Sequence, residues 1–296
     1  THWILVFTLS AAVALSSCGK KEDVSSDSTE DTYALTAETA VTTLGNLADE
    51  QSNSSFAALS QKPSFFADTL PQLLIPQAFA STCSRAFLQT CSNGVRTITY
   101  SACRAFGGLL SLTGDVTLTY SEANCAMSTN GDSVTRTYDF TVEGPHNGKL
   151  HIFSTSATDY RGTNISGGGE LIKTSSDWEV LVWGRNVVLS KNDNTLMSHS
   201  VRTLSNIHVS GGLDRSSRVI DGGQLEVNHN LAEYTAVFVP SNLHYSSSCC
   251  HPVSGSLTVS YSGSVTGTGT LTFTGCGEGQ LVQDGQSKTV SLSYCE

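Results

Sequence analysis

The stretch VTRTYDFTV, Val134 to Val142, alternates with a period of two. Val134, Tyr138, Phe140 and Val142 fall on one face; Thr135, Thr137, Asp139 and Thr141 fall on the other. A strand points successive side chains to opposite faces, so this pattern predicts a strand with one face buried and one in water. DVTLTYS repeats the alternation with Val116, Leu118 and Tyr120, and SLTVSYS repeats it with Leu257, Val259 and Tyr261. WEVLVWG and TAVFV carry large apolar groups on both faces, which predicts central strands covered on each side. The turn stretches STNGD, GPHNGK, SGGGE, KNDN, SGG, DGG and QDGQ separate these runs. Roughly 14 to 17 short strands with such turns predict an all-β fold over residues 84–296, a large antiparallel sandwich-like or meander domain. No segment after residue 84 carries a helical stripe. GDVTLTYS (114–121) resembles GSLTVSYS (255–262), and GGELIK (168–173) resembles GGQLEV (222–227) more weakly. Two similar halves and the general likeness of Ser/Thr-rich strands both account for this.

Upstream of the strands the pattern changes three times. Tyr33, Ala37, Ala40, Leu44 and Leu47 recur at steps of four and three, which predicts a helix that packs on the domain or stands in a stalk. LPQLLIPQAFASTC (70–83) is broken by Pro71 and Pro76 and reads as an apolar strap, so residues 32–83 are a helical stalk and strap. Residues 18–31 are Ser-rich and acidic, with no apolar stripe to bury, and read as a solvated tether.

Residues 1–17 carry a different signal. WILVFTLSAAVAL, Trp3 to Leu15, is 13 apolar or small residues. That is below the ~20 needed to span a bilayer as a helix and suits the core of a secretion signal. LSSC follows: aliphatic Leu15, small Ser16 and Ser17, then Cys18. This resembles the lipobox of bacterial lipoproteins. The resemblance covers only residues 3–18. It implies lipidation of the Cys18 sulfur, cleavage of residues 1–17, a membrane partner through that anchor, and a place in the cell envelope. Gly19 stands where many inner-membrane members carry aspartate, which directs the expectation to the outer membrane. Signals of that family open with Met and a basic stretch; this sequence opens Thr1-His2, so a few residues are expected to precede it. Several acyl chains anchor stably where one is marginal. The anchor, the cysteines and the charged residues opposite the apolar faces argue against a transmembrane barrel.

Eight further cysteines form two clusters, Cys83, Cys91, Cys103 and Cys125, then Cys249, Cys250, Cys276 and Cys295. An even set in an exported chain predicts disulfides, paired within each cluster because short loops close at less entropic cost. Which cysteine pairs with which stays open. CCHP places Cys249, Cys250 and His251 together, but zinc sites space their cysteines as in CxxC, so no metal is expected.

The net charge is −10 with 16 basic residues, which argues against a phosphate-backbone partner. There is no Gly-x-Ser-x-Gly, His-Glu-x-x-His or phosphate loop. SVTGTGTLTFTGCGEG (264–279) reads as strand, turn, strand, and KNDN (191–194) as a hairpin turn. His199, His208, His229, His244 and His251 read as surface or strand-edge residues, although His208 and Asp214 with a serine would make a triad. Tyr160, Trp178, Trp183, Tyr234 and Tyr245 are candidates for stacking on sugar rings, while Trp178 and Trp183 equally suit a β core. No cofactor is expected. The function expected is a non-enzymatic binding, adhesion or structural module of the envelope, with a glycan or envelope polymer as partner. A carrier of lipid or another hydrophobic ligand and a hydrolase built from distant strands are the alternatives.

Cys18→Ser is expected to abolish incorporation of a labelled fatty acid and to leave residues 1–17 attached. Label retained on the Ser variant would remove the lipobox reading.

Overall fold

The computed structural model describes residues 36, 37, 39–45, 90–105, 110–144, 147–283 and 285–291. The segments expected to be signal, tether and strap lie outside these residues, as do Cys18, Cys83 and Cys295. The described chain is mostly strand, and every pairing is antiparallel. The strands are β1 (Val95–Ala105), β2 (Leu110–Tyr120), β3 (Ser133–Glu143), β4 (Gly148–Phe153), β5 (Ala157–Thr158), β6 (Asn164–Ile165), β7 (Gly168–Lys173), β8 (Trp178–Lys191) and β9 (Asn194–Ser205). They continue as β10 (Ile207–Ser210), β11 (Val219–Asp221), β12 (Gln224–His229), β13 (Tyr234–Ser246), β14 (Cys249–Gly263), β15 (Gly267–Gly275), β16 (Glu278–Gln283) and β17 (Gln286–Ser291).

Fifteen of these strands form one sheet. β4 and β7 both lie between β3 and β8 and share one lane. β9 and β10 share the next lane beyond β8, and β11 and β12 share the lane before β13. The sheet is therefore an up-and-down meander of twelve lanes, each joined to its neighbour in sequence. It is one continuous sheet, and the resembling stretches lie on β2, lane 2, and β14, lane 9.

The alternation in β3 sets the two faces. Val134, Tyr138, Phe140 and Val142 are buried, and the Thr and Asp positions between them are half-buried or exposed. Register carries this face across the lanes: Phe140 lies opposite Ile152, Ile152 opposite Val187, Val187 opposite His199, and His229 opposite Tyr234. We call it the inner face. Each fully buried Val, Leu, Ile or Phe on it contributes roughly 1.5–3 kcal/mol relative to exposure. An apolar inside and a polar outside reverse the arrangement of a membrane barrel.

Helix α1, described at residues 36, 37 and 39–45, packs on the inner face. Ala37, Ala40 and Leu44 are buried as the spacing predicts; Tyr33 and Leu47 lie outside the described residues. Among the described residues of the helix, Thr42 alone is exposed. Small Ala, Thr and Gly side chains allow this close fit. Of the two placements open to it, the helix takes the one on the domain.

The hairpin between β8 and β9 confirms the turn at KNDN: Asn192 and Asp193 both have positive φ, 49° and 64°, as a two-residue type I′ turn requires. Gly114 and Gly255, the first residues of the two resembling stretches, share a tighter demand. A Cβ at Gly114 would lie 2.2 Å from the Asp139 carbonyl oxygen, and one at Gly255 2.1 Å from that of Asn242. Only glycine lets the neighbouring strand approach so closely.

Trp183 corrects one expectation. β8 is central, but Trp183 projects from its outer face at 42 % exposure, so that face is not fully covered. Among the described residues two disulfides are formed, Cys91–Cys125 and Cys249–Cys276, each within its own cluster. Cys103 and Cys250 lie in β1 and β14 with side chains outside the description. Cys249→Ser with Cys276→Ser, which opens a bridge spanning 27 residues, is expected to lower unfolding free energy by about 2–4 kcal/mol in urea titration. An unchanged midpoint would show that the bridge does not constrain the unfolded chain.

Candidate functional site

The inner face is apolar except at two places. The first lies under α1. Register brings Val187, His199, His229 and Tyr234 into one row across β8, β9, β12 and β13. The His199 and His229 rings meet edge to face with centroids 4.7 Å apart, and His229 lies 5.1 Å from Tyr234. The Tyr234 hydroxyl shares a hydrogen bond with Thr36, and the Thr39 hydroxyl lies 2.8 Å from His199 Nδ1. The Ala232 amide donates to His229 Nδ1 at 3.1 Å, so the neutral His229 ring carries its proton on Nε2.

A threonine hydroxyl on an imidazole is the pairing of a nucleophile with its base. The surroundings remove that chemistry. Burial, then the neighbouring His229, push His199 down to about 3, far below the range in which a base is useful. His199 is fully buried and its Nε2 has no hydrogen-bond partner, so nothing orients the ring from behind. The pair instead fixes α1 to the sheet. At the far end of the helix, Arg218 donates to the Gly45 carbonyl at 3.4 Å and stacks over the Tyr245 ring.

The second place holds Arg136, Tyr138 and Arg185. Arg136 occupies the inward phase of β3 between Val134 and Tyr138 and is 0 % exposed. Arg185, opposite the buried Val201, is 4 % exposed, and its guanidinium lies 5.4 Å from the Tyr138 ring centre.

The outer face carries a separate network. After β4 the chain leaves the sheet, forms the β5–β6 hairpin, and returns as β7. Arg161 in this excursion donates to Asp159 Oδ2 at 2.9 Å and to Glu226 Oε1 at 2.7 Å; Arg202 donates to the same Glu226 oxygen at 2.7 Å. Burial alone would raise the Asp159 carboxyl, but the Thr163 amide and Arg161 hold it below its ordinary value. Burial likewise opposes Glu226, and Arg161, Arg202 and Asn228 hold it down. Both carboxylates are fully engaged, so the network staples the excursion down.

The histidines of the sequence reading divide. His199, His229 and His251 are buried, not at the surface, because their strand positions fall on covered faces. His208 pairs with Asp177 at 3.5 Å instead of Asp214, so the imagined triad does not assemble. His244 is exposed. Among the sugar-stacking candidates, Tyr234 and Tyr245 are buried and cannot present a face to a sugar. Tyr160 bonds Thr235, Trp178 lies under the Lys173 ammonium at 4.7 Å, and Trp183 remains exposed. Cys249 is held in a disulfide, which removes the metal reading of CCHP. Among the described residues no three His, Cys, Asp or Glu side chains gather to hold a metal. Sequence reasoning passed over Arg136 and Arg185. Arg136 signalled itself by sitting in the apolar phase of the alternation.

Comparison with protein-family models, curated proteins and solved structures gives no match for this chain.

The depressed His199 sets a pH dependence. Above its ordinary value of 6.5 the ring is neutral folded and unfolded; below it the unfolded chain binds a proton that the folded chain refuses until about 3. Stability is therefore lost as pH falls through that window, about 2 kcal/mol from this ring between pH 7 and pH 5. Urea unfolding at both pH values is expected to show that loss in wild type and a smaller one in His199→Gln. Equal losses would show that His199 is not the titrating group.

Proposed function

We propose that this chain is a non-enzymatic binding module of a bacterial cell envelope, held to the outer membrane by acyl groups on Cys18. The sealed Thr39–His199 pair carries the non-enzymatic part: its imidazole is fully buried and kept neutral, so it has neither substrate access nor a useful basicity. Two disulfides suit an oxidising compartment. The net charge of −10 argues against a nucleic-acid partner and leaves a glycan or envelope polymer as a suitable one. Trp183, exposed on the outer face, is the side chain best placed to stack on a sugar.

A second reading is the carrier of a hydrophobic ligand. One observation favours it. A small cavity between Ala37 of α1 and the strands is lined by Phe238, Leu257, Val259, Leu271, Leu281 and Val290, with Tyr261 at its side. The inner face thus stays apolar where the helix does not fill it.

Purified protein is expected to show no turnover of ester, peptide or glycan substrates. Turnover lost in His208→Ala or His244→Ala, two solvent-reaching imidazoles, would overturn the non-enzymatic reading. On glycan arrays, saturable binding lost in Trp183→Ala with the fold intact would support the polymer-binding form.

A further inference from the structure

Lane 4 is interrupted beside Arg185. β4 ends at Phe153, Ser154 turns its hydroxyl to the Tyr138 amide at 2.9 Å, and the chain leaves the sheet until Gly167. When it returns, Gly169 is the residue opposite Arg136 and Val182. Between Ile152 and Leu171, lane 4 therefore sends no free side chain onto the inner face. Lanes 3 and 5 stand roughly 9.5 Å apart across this trough, two inter-strand spacings. Arg136 and Tyr138 form one wall; Val182 and Arg185 form the other.

Arg185 bridges the trough toward Tyr138, yet its Nε and Nη1 are buried with no hydrogen-bond partner. A buried guanidinium always carries its charge, and leaving it unpaired is costly. No carboxylate of the adjoining strands answers it. Asp139 and Glu170 occupy the outward phases of β3 and β7, and Glu179 faces outward to Asn206. The ring of Tyr138 compensates part of the charge but none of the donors. A planar fork of N–H groups matches the two oxygens of a carboxylate or phosphate. The surface around it is apolar: Val116 is opposite Tyr138, and Val201 is opposite Arg185.

We propose that the trough between β3 and β8 binds the oxyanion head of an acyl amphiphile, a carboxylate or phosphate held by Arg185 with Arg136 beside it, its chain lying on the apolar inner face. This rests on the carrier reading of the inner face. The Tyr138 ring in the wall lies against the Arg185 guanidinium, 5.4 Å from its centre, and holds that planar fork within the trough. The acyl chain is what distinguishes this ligand from free phosphate, which would use the guanidiniums alone.

The test uses the full chain with dodecyl phosphate, dodecanoate, dodecanol and inorganic phosphate as probes, read by calorimetry and thermal unfolding. The two anionic amphiphiles are expected to bind and raise Tm, and dodecanol to bind at least tenfold more weakly. Arg185→Met is expected to cut amphiphile affinity at least tenfold while its own ligand-free Tm holds or rises, since it removes an unpaired buried charge. Dodecanol binding as tightly as dodecyl phosphate, unmoved by Arg185→Met, would overturn the oxyanion site and leave the carrier reading standing. Inorganic phosphate binding as tightly as dodecyl phosphate would overturn the acyl ligand. No binding by any probe would overturn the site and the carrier reading together. Should Arg185→Met fail to fold, Arg185→Lys and mass spectrometry of an organic extract of the wild-type protein take its place. A co-purified anionic amphiphile supports the site; a clean extract with no affinity loss in Arg185→Lys overturns it.

Discussion

Everything in this structure depends on twelve antiparallel lanes handing their apolar side chains to the same face. The ladder satisfies backbone donors and acceptors sideways and is indifferent to which face is buried. The period-two alternation decides that, and a slip of one residue in any lane would turn its apolar set to water. Irregularities are absorbed where they do no harm to this phase. The register shifts between Tyr100 and Cys103 in β1, and between Ser241 and His244 in β13. Next to them, Gly114 and Gly255 give way to the backbone of the adjoining strand.

A sheet with one apolar face needs a cover, and α1 supplies part of it. Its threonines would cost stability against bare hydrocarbon, and the sheet answers them with the Tyr234 hydroxyl and the His199 ring. The polar residues of the inner face are therefore part of the seat for the helix. On the opposite side, Arg161 and Arg202 converge on Glu226 to hold the excursion against the outer face. Both devices bury polar groups in matched sets. Arg185 is different in kind: it lies against the Tyr138 ring, and its buried Nε and Nη1 have no hydrogen-bond partner.

The fold was legible because alternation is a local property. VTRTYDFTV shows its buried face without any knowledge of its partners, and the turn at Asn192–Asp193 is encoded in residues that accept positive φ. The spacing of Ala37, Ala40 and Leu44 likewise showed the helix. What covers each face was not legible. Trp183 sits in an apolar run and still projects into water at 42 % exposure, although the backbone of Gly167 passes beside it. The inner cluster was hidden for a related reason. His199 and His229 lie opposite one another only through the β9–β12 register, and Thr39 meets them from 160 residues away. Arg136 was visible in principle, as a charge in an apolar phase, but a single sequence offers no partner to explain it.

The meander has a consequence for the order in which the molecule assembles. Each lane pairs with its sequence neighbour, so the sheet grows by successive local hairpins with little loop entropy to overcome at each step. Helix α1 obeys the opposite rule. It is made before any strand, yet its Thr36 meets Tyr234 across 198 residues of chain. During synthesis from the N-terminus the helix waits until the eighth lane exists, and the first seven lanes meanwhile stand with their apolar face uncovered. The late docking of an early segment makes the nascent sheet a substrate for holding factors, and it gives any molecule that fits the inner face its first access before the helix arrives.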